Sequence, residues 1–332
     1  MRAHEPRKST HRVEVVRLGE IGQHPNADAL GVVHVYGYTC CVRLADWRAG
    51  DLAAYVVPDS LVPVDRPKFR VLADASKGRT HHRVKVRTMR GVVSQGLLVR
   101  APEGSREGDD VADLLGVTRY VPPEPMSMSG PSEHPPEERP SYDVESFLRY
   151  ESVLVPGEQV VVTEKVHGTS ARYSFQGGRM WCGTRHDWRV DVEGSVWWRA
   201  LRENPALEAM LRAEPGWTLY GEVYGGLQDL TYGAKKGELR FAGFDLLDAS
   251  LGTWQDADVA RANAGRHGVP WVPLLWRGSF DASAVVALAE GPSLLGPNVR
   301  EGCVVLPVHE RRHPEIGRVQ LKIVGNGYLE RA

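Results

Sequence analysis

Up to about residue 120 the chain sets short apolar runs between polar punctuation, and beyond residue 140 the rhythm changes. Val13 to Leu18, Val32 to Tyr36, Ala53 to Val57, Arg83 to Arg87 and Gly96 to Val99 are rich in β-branched or apolar residues, with Gly, Pro, Asn and Asp in the gaps. This predicts about five strands in some 120 residues, the size of a small barrel, with an antiparallel sandwich as the alternative. Residues 121–140, VPPEPMSMSGPSEHPPEERP, hold seven prolines in twenty positions. Proline at that density resists helix and sheet ladder and favours an extended, semi-rigid connector. The expected organisation is therefore a first domain over 1–120, a linker over 121–141 and a second domain over 142–332.

In the second domain strands and helices mix. Gln159 to Glu164, Arg172 to Phe175, Thr218 to Val223, Arg240 to Leu246, Cys303 to Leu306 and Val319 to Val324 read as strands. From Ser195 to Arg212 the apolar residues Trp197, Ala200, Leu201, Leu207, Met210 and Leu211 fall at helical spacing, and Pro205 is expected to break the helix in two. Val259 to His267 and Ala282 to Ala289 also read as helices. The class is α+β.

Charge changes the picture only when it is localised. The 332 residues carry a formal net charge of −1, a balance that by itself argues against a general nucleic-acid binder. Between Arg66 and Arg100, however, ten basic residues face one acidic residue, Asp74, so this stretch holds +9 and the remainder −10. In Arg83-Val84-Lys85-Val86-Arg87 a strand period of two aligns Arg83, Lys85 and Arg87 on one face, which suits a phosphate backbone. The four cysteines form no C-x-x-C pair and no zinc spacing. Scattered thiols, no apolar stretch behind the first charges and no run near the ~20 residues that cross a bilayer point to a cytoplasmic protein without a membrane partner.

Chemistry concentrates in Thr163-Glu164-Lys165-Val166-His167-Gly168-Thr169-Ser170, at the end of an apolar strand. K-x-x-G is weak alone, since Lys322-Ile323-Val324-Gly325 fits it too. Further on, Glu222 stands in LYGEVYG, Glu301-Gly302 opens the apolar run Cys303 to Leu306, and Lys322 lies in the last strand. Any one of these is more often a strand-end salt bridge. Together they suit a phosphate site, with lysines to grip oxygens and carboxylates to hold a hard cation.

TEKVHGTS, LYGEVYG, FAGFDLLD, EGCVVL and QLKI, in that order, resemble the motifs of covalent nucleotidyltransferases, and among them ATP-dependent RNA ligases. HPNADALGVVHVYG and RTMRGVVSQGLL resemble the oligonucleotide-binding (OB) domain that precedes the transferase domain in RNA ligases of the Deinococcus type. The resemblance implies an N-terminal OB-like barrel followed by an adenylyltransferase domain, ATP as AMP donor, and Mg²⁺ or Mn²⁺. It also implies nick sealing of a 3′-hydroxyl to a 5′-phosphate in a duplex, with RNA on the 3′-hydroxyl side, in RNA repair.

The same resemblance distributes roles. Lys165 matches the nucleophile that forms lysyl-AMP; a free lysine, at pKa about 10.4, is protonated near neutrality, so neighbouring cations and the metal must depress it. Glu164 matches the reader of the adenine amino group, and His167 the histidine needed when AMP passes to the 5′-phosphate. Gly168 lets the backbone approach the nucleotide, Arg185 contacts the ribose or incoming strand, and Glu222 contacts the ribose hydroxyls. Phe244 stacks on adenine, Glu301 holds the divalent cation, and Lys322 contacts the α-phosphate.

Two positions depart from the pattern: Gln320 replaces the first of two motif lysines, and Ser170 stands where relatives often have asparagine. Ten residues follow Lys322, so no C-terminal OB domain is expected. Two rival readings are a GTP-using capping-type guanylyltransferase, and an inactive nucleic-acid-binding scaffold for which Gln320 is the best support.

Overall fold

The computed structural model describes residues 11–121 and 130–331, so residues 122–129 of the expected linker lie outside the described residues. The chain forms two compact units, the first of residues 1–122 together with 329–332 and the second of residues 123–328.

The longer strands of the first unit are β1 (Val13–Arg17), β2 (Leu30–Val35), β3 (Tyr38–Arg43), β4 (Leu52–Val56), β5 (Ser60–Pro63), β6 (His81–Arg83), β7 (Arg87–Met89), β8 (Val92–Ser94) and β9 (Leu97–Arg100). Strand β4 pairs antiparallel with both β1 and β9. Its side chains alternate between two apolar clusters. Ala54 and Val56 join Val13, Val15, Phe69 and Val99, while Ala53 and Tyr55 join Val16, Val33, Val42 and Trp47. A strand buried on both faces in this way reads as a continuous apolar run, which is why it was visible in the sequence. Gly96 has φ +96, and a side-chain carbon there would stand 2.6 Å from the Tyr55 ring, so glycine is required. Strand β3 escaped the pattern because Thr39, Cys40 and Cys41 blur its alternation.

The basic stretch folds differently from the expectation of one strand. Strand β6 ends at Arg83 and pairs with β5, whereas β7 begins at Arg87 and forms a hairpin with β8. Arg83, Lys85 and Arg87 therefore do not share one ladder. Arg83 is turned onto Asp59, Nη2 to Oδ1 at 2.7 Å, with its guanidinium 4.0 Å over the Tyr120 ring. Lys85 and Arg87 are exposed. Others of the run are also held internally, Lys68 by the Arg100 carbonyl and Arg100 by Asp51 at 2.8 Å.

The second unit is built on β10 (Gln159–Lys165), β11 (Thr169–Gln176), β12 (Arg179–Gly183), β13 (Trp217–Gly225), β14 (Leu239–Asp248), β15 (Leu274–Ser279), β16 (Gly302–Pro307) and β17 (Leu321–Val324). Its longer helices are α1 (Val196–Glu203), α2 (Pro205–Ala213), α3 (Ala257–Arg266) and α4 (Ala282–Leu288). Pro205 does separate α1 from α2, occupying the first turn of α2, where its missing N–H costs nothing. One sheet of seven strands runs Ser132–Glu133, Trp188–Arg189, β12, β11, β13, β14, Thr253–Trp254. A second sheet of five runs Glu145–Ser146, β17, β16, β10, β15.

Each sheet rests one face on its own core. Ala171, Tyr173, Leu219, Val223 and Phe241 pack under Trp197, Leu201, Leu207 and Met210 of α1 and α2. Val160, Val162, Cys303, Val305, Leu321 and Ile323 pack with Phe147, Phe280 and Val285. Burial of one such aliphatic or aromatic side chain contributes about 1.5–3 kcal/mol, so each core anchors its sheet by many small increments. Residues 130–140 of the proline-rich stretch are fastened to the seven-stranded sheet. Ser132 and Glu133, which lie between prolines and keep their N–H groups, pair with Arg189 and Trp188. The carbonyls of Arg139 and Pro140 accept from Arg172 and the Tyr220 hydroxyl, each at 2.8 Å.

Candidate active site

Strand periodicity assembles the site. With Val160 and Val162 committed to the core, Val161, Thr163 and Lys165 of β10 face the other way. The same alternation turns Val304 and Leu306 of β16 and Lys322 of β17 to that side. From the seven-stranded sheet Ser170 and Glu222 face the same pocket. Phe244 arrives by another route. Tyr220 pairs with Asp245 and Gly221 with Gly243, so Phe244 is the extra residue of a β-bulge. A bulge re-aims one side chain, here into the pocket wall beside Tyr142, ring centroids 4.7 Å apart, and near Trp271.

Lys165 closes β10 opposite Gly302, and its Nζ lies 2.5 Å from Glu301 Oε1. The other Glu301 oxygen, Oε2, is buried and has no hydrogen-bond partner. A side-chain carbon on Gly302 would collide with the Ile323 carbonyl, so glycine is what lets β16 start close enough to β17 to bring Glu301 against Lys165. Gly168 has an equivalent duty. A side-chain carbon there would strike the Val223 carbonyl, and the Gly168 N–H donates to the Glu222 carboxylate. Its tight approach is thus to β13. Glu222 is pushed up to about 8, chiefly by burial and secondarily by Glu301, against the pull of Lys165 and Arg185.

Glu164, on the opposite parity to Lys165, is buried. Its Oε1 accepts from the Ser293 hydroxyl at 2.5 Å and its Oε2 from the Leu294 N–H at 2.8 Å. Arg185 lines the pocket, 41 % exposed, and stands 3.7 Å from Asp143. His167 Nε2 lies 3.0 Å from Asp229 Oδ1, its Nδ1 lies 3.2 Å from the Tyr328 hydroxyl, and its N–H donates to the Tyr232 hydroxyl at 2.7 Å. The structure thus brings Lys165, Glu164, Glu222, Phe244, Arg185 and Lys322 to one pocket, with Glu301 against Lys165 and His167 3.8 Å from Glu301. Arg83, Lys85 and Arg87 belong to the first unit.

Gln320 is buried and does not line the pocket. Its Oε1 accepts from the Tyr142 hydroxyl at 2.5 Å and its Nε2 donates to the Asp143 carbonyl at 3.1 Å. Tyr142 also reaches Asp245 at 2.8 Å, and Asp245 is paired with Arg318 at 2.9 Å. Burial raises Asp245 above the ordinary carboxylate range despite Arg318. Gln320 is a bridge in a buried network that fastens the segment before β10 beneath the pocket. Sequence reasoning missed Tyr142, Asp229, Tyr232, Trp271, Ser293 and Tyr328, because each reaches the site across a long stretch of chain and none sits in a motif.

Residues 158–324 match the RNA ligase family, half of the chain. The chain belongs to the RNA ligase family. Residues 12–101 of the ligase match an OB-fold domain, in agreement with the expected N-terminal barrel. No curated protein matches the sequence significantly. Among solved structures the ligase resembles Naegleria gruberi RNA ligase. A variant of that enzyme without ligand shares 25 % identity at a TM-score of 0.83, covering 97 % of this chain and 98 % of its own. Its complex with pyrophosphate shares 25 % at 0.81, covering 97 % and 99 %. A variant bound to ATP and manganese shares 24 % at 0.83, covering 96 % and 98 %.

Two outcomes follow for the ligase. Gln320→Leu strands the Tyr142 hydroxyl network and the Asp143 carbonyl, and is expected to cost about 2 kcal/mol in denaturant unfolding; an unchanged midpoint would contradict the bridging role. Glu222 binds a proton on folding between about 4.5 and about 8, so it opposes folding increasingly as pH rises through that window. Stability of the unliganded protein should therefore fall less with rising pH in Glu222→Gln than in the wild type, and parallel curves would count against it.

Proposed function

We propose that this protein is an ATP-dependent ligase of the Deinococcus type that seals nicks in duplexes, preferring RNA on the 3′-hydroxyl side, and acts in RNA repair. The observation that carries the reading is Lys165 at the end of β10, 2.5 Å from Glu301, in a pocket also lined by Glu222, Phe244, Arg185 and Lys322. Naegleria gruberi RNA ligase, solved with ATP and manganese, with AMP and manganese, and with pyrophosphate, supports ATP as AMP donor and a divalent cation as cofactor.

The orphaned Glu301 Oε2 fits a hard cation, and no cluster of three or more His, Cys, Asp or Glu able to hold a metal occurs among the described residues. One carboxylate with water and substrate phosphates completing the shell is how Mg²⁺ usually binds. Bound there, the cation neutralises phosphate charge.

In the first step the Lys165 amine, once it has shed its proton and its ion pair with Glu301, attacks the α-phosphorus. The N–P bond forms and the bond to pyrophosphate breaks. Lys322 stabilises charge on the α-phosphate, Glu222 holds the ribose, and Phe244 with Tyr142 forms the aromatic wall for adenine. Glu164 reads the adenine amino group; its oxygens are fixed by Ser293 and Leu294 as acceptors, which favours an amino group over a carbonyl. In the second step an oxygen of the 5′-phosphate attacks the same phosphorus, AMP passes to the 5′ end and Lys165 is released. In the third the 3′-hydroxyl attacks the adenylylated phosphate, the phosphodiester forms and AMP leaves. The 2′-hydroxyl is the group through which RNA is preferred.

In the first unit Lys85 and Arg87, rather than Arg83, are the residues of the trio available to a phosphate backbone.

Nicks that differ only in RNA or DNA at the 3′-hydroxyl end test this reading. ATP-dependent sealing is expected for both, faster with RNA; equal rates would remove the RNA preference, and no sealing would remove the activity. Neutralising Lys85 and Arg87 should flatten the salt dependence of nick binding by about one to two in log–log slope, whereas Arg83→Gln should change it less.

A further inference from the structure

We infer that Tyr328 and Asp229 are positioning residues that hold the His167 imidazole in one orientation for transfer of AMP to the 5′-phosphate. The inference rests on the role of His167 under the proposed function. His167 lies two residues beyond Lys165, just past the end of β10, and four groups from other parts of the second unit reach it.

Asp229 Oδ1 lies 3.0 Å from Nε2 and the Tyr328 hydroxyl 3.2 Å from Nδ1. The Tyr328 ring is tilted against the imidazole at 5.5 Å between centroids. The Tyr232 hydroxyl takes the backbone N–H at 2.7 Å, and Glu301 Oε2 stands 3.8 Å from Nδ1, beyond hydrogen-bonding distance.

The donor and acceptor rules fix the arrangement. An ionised aspartate only accepts, so Nε2 must carry hydrogen, and in the neutral ring Nδ1 is then the acceptor of the Tyr328 O–H. A ring flipped about its χ2 axis would lose both partners. Asp229 is 66 % exposed, and a hydrogen bond shared with water restrains weakly. Tyr328, half-buried, is the stronger restraint.

Tyr328 is itself placed by the fold. It belongs to the short helix Asn326–Leu329 that follows β17, the strand of Lys322. Glu290 accepts from the N–H groups of Asn326 at 2.6 Å and Gly327 at 3.1 Å, which pins the start of that helix. The strand that delivers Lys322 therefore also delivers the residue that orients His167.

The test separates the steps. Wild type, Tyr328→Phe, Asp229→Asn, His167→Ala and the double variant Tyr328→Phe/His167→Ala are each labelled with α-³²P-ATP, then chased with a nicked duplex. Tyr328→Phe is expected to label within twofold of wild type but to transfer AMP about tenfold more slowly, since small misplacements of a reacting group carry penalties of that order. Asp229→Asn should shift the same step by less, and the double variant should be no slower than His167→Ala. The inference is overturned by wild-type transfer in Tyr328→Phe, by equal loss of labelling and transfer, or by additive losses in the double variant. If His167→Ala itself transfers AMP normally, the failure lies in the role given to His167, and the inference falls with it. Should Tyr328→Phe fold poorly, Asp229→Asn approaches the same ring from its other nitrogen and decides the question by the same split.

Discussion

A strand offers only every second residue to a given face, and the site of this ligase is the consequence of that constraint applied twice. In β10 and β16 one parity is consumed by the core beneath the five-stranded sheet, and the other is left for Lys165, Val304 and Leu306. In β11 and β13 the core under α1 and α2 takes Ala171, Tyr173, Leu219 and Val223, leaving Ser170 and Glu222. Ser170, Glu222 and Lys322 are therefore each aimed by a core residue one position away. A one-residue slip in either sheet would bury a charge and expose a valine, so core packing and site geometry are specified together.

Within that frame charge is arranged by desolvation and close pairing. Lys165 and Glu301 form a tight pair, while burial drives the Glu222 carboxyl up to about 8. Helix α1 reaches the same region through Trp197, whose indole N–H donates to the Ser170 carbonyl at 3.0 Å. The glycines mark where backbones must nearly touch: Gly302 against β17 and Gly168 against β13.

Much of this was legible in the sequence for physical reasons. Strands buried on one or both faces leave an apolar record, as in Gln159 to Glu164 and Cys303 to Leu306, and the motif residues sit at their ends beside glycine. Arg83 to Arg87 misled because alternation cannot reveal where a strand stops. The chain leaves one ladder at Arg83 and enters another at Arg87. Phe244 was named from its motif, but the bulge that aims it has no local signature. Tyr142, Asp229 and Tyr328 were invisible because their meaning lies wholly in contacts across the fold. Gln320 was read as a lost cation at phosphate, whereas its amide joins Tyr142 to the Asp143 backbone.

The proposed activity rests on covalent attachment of AMP to Lys165. Incubating the protein with ATP and magnesium, digesting it and locating the adenylylated residue by mass spectrometry tests this most directly. A single acid-labile adduct on Lys165, absent from Lys165→Ala, is expected. An adduct on Lys322, or labelling that survives in Lys165→Ala, would contradict it.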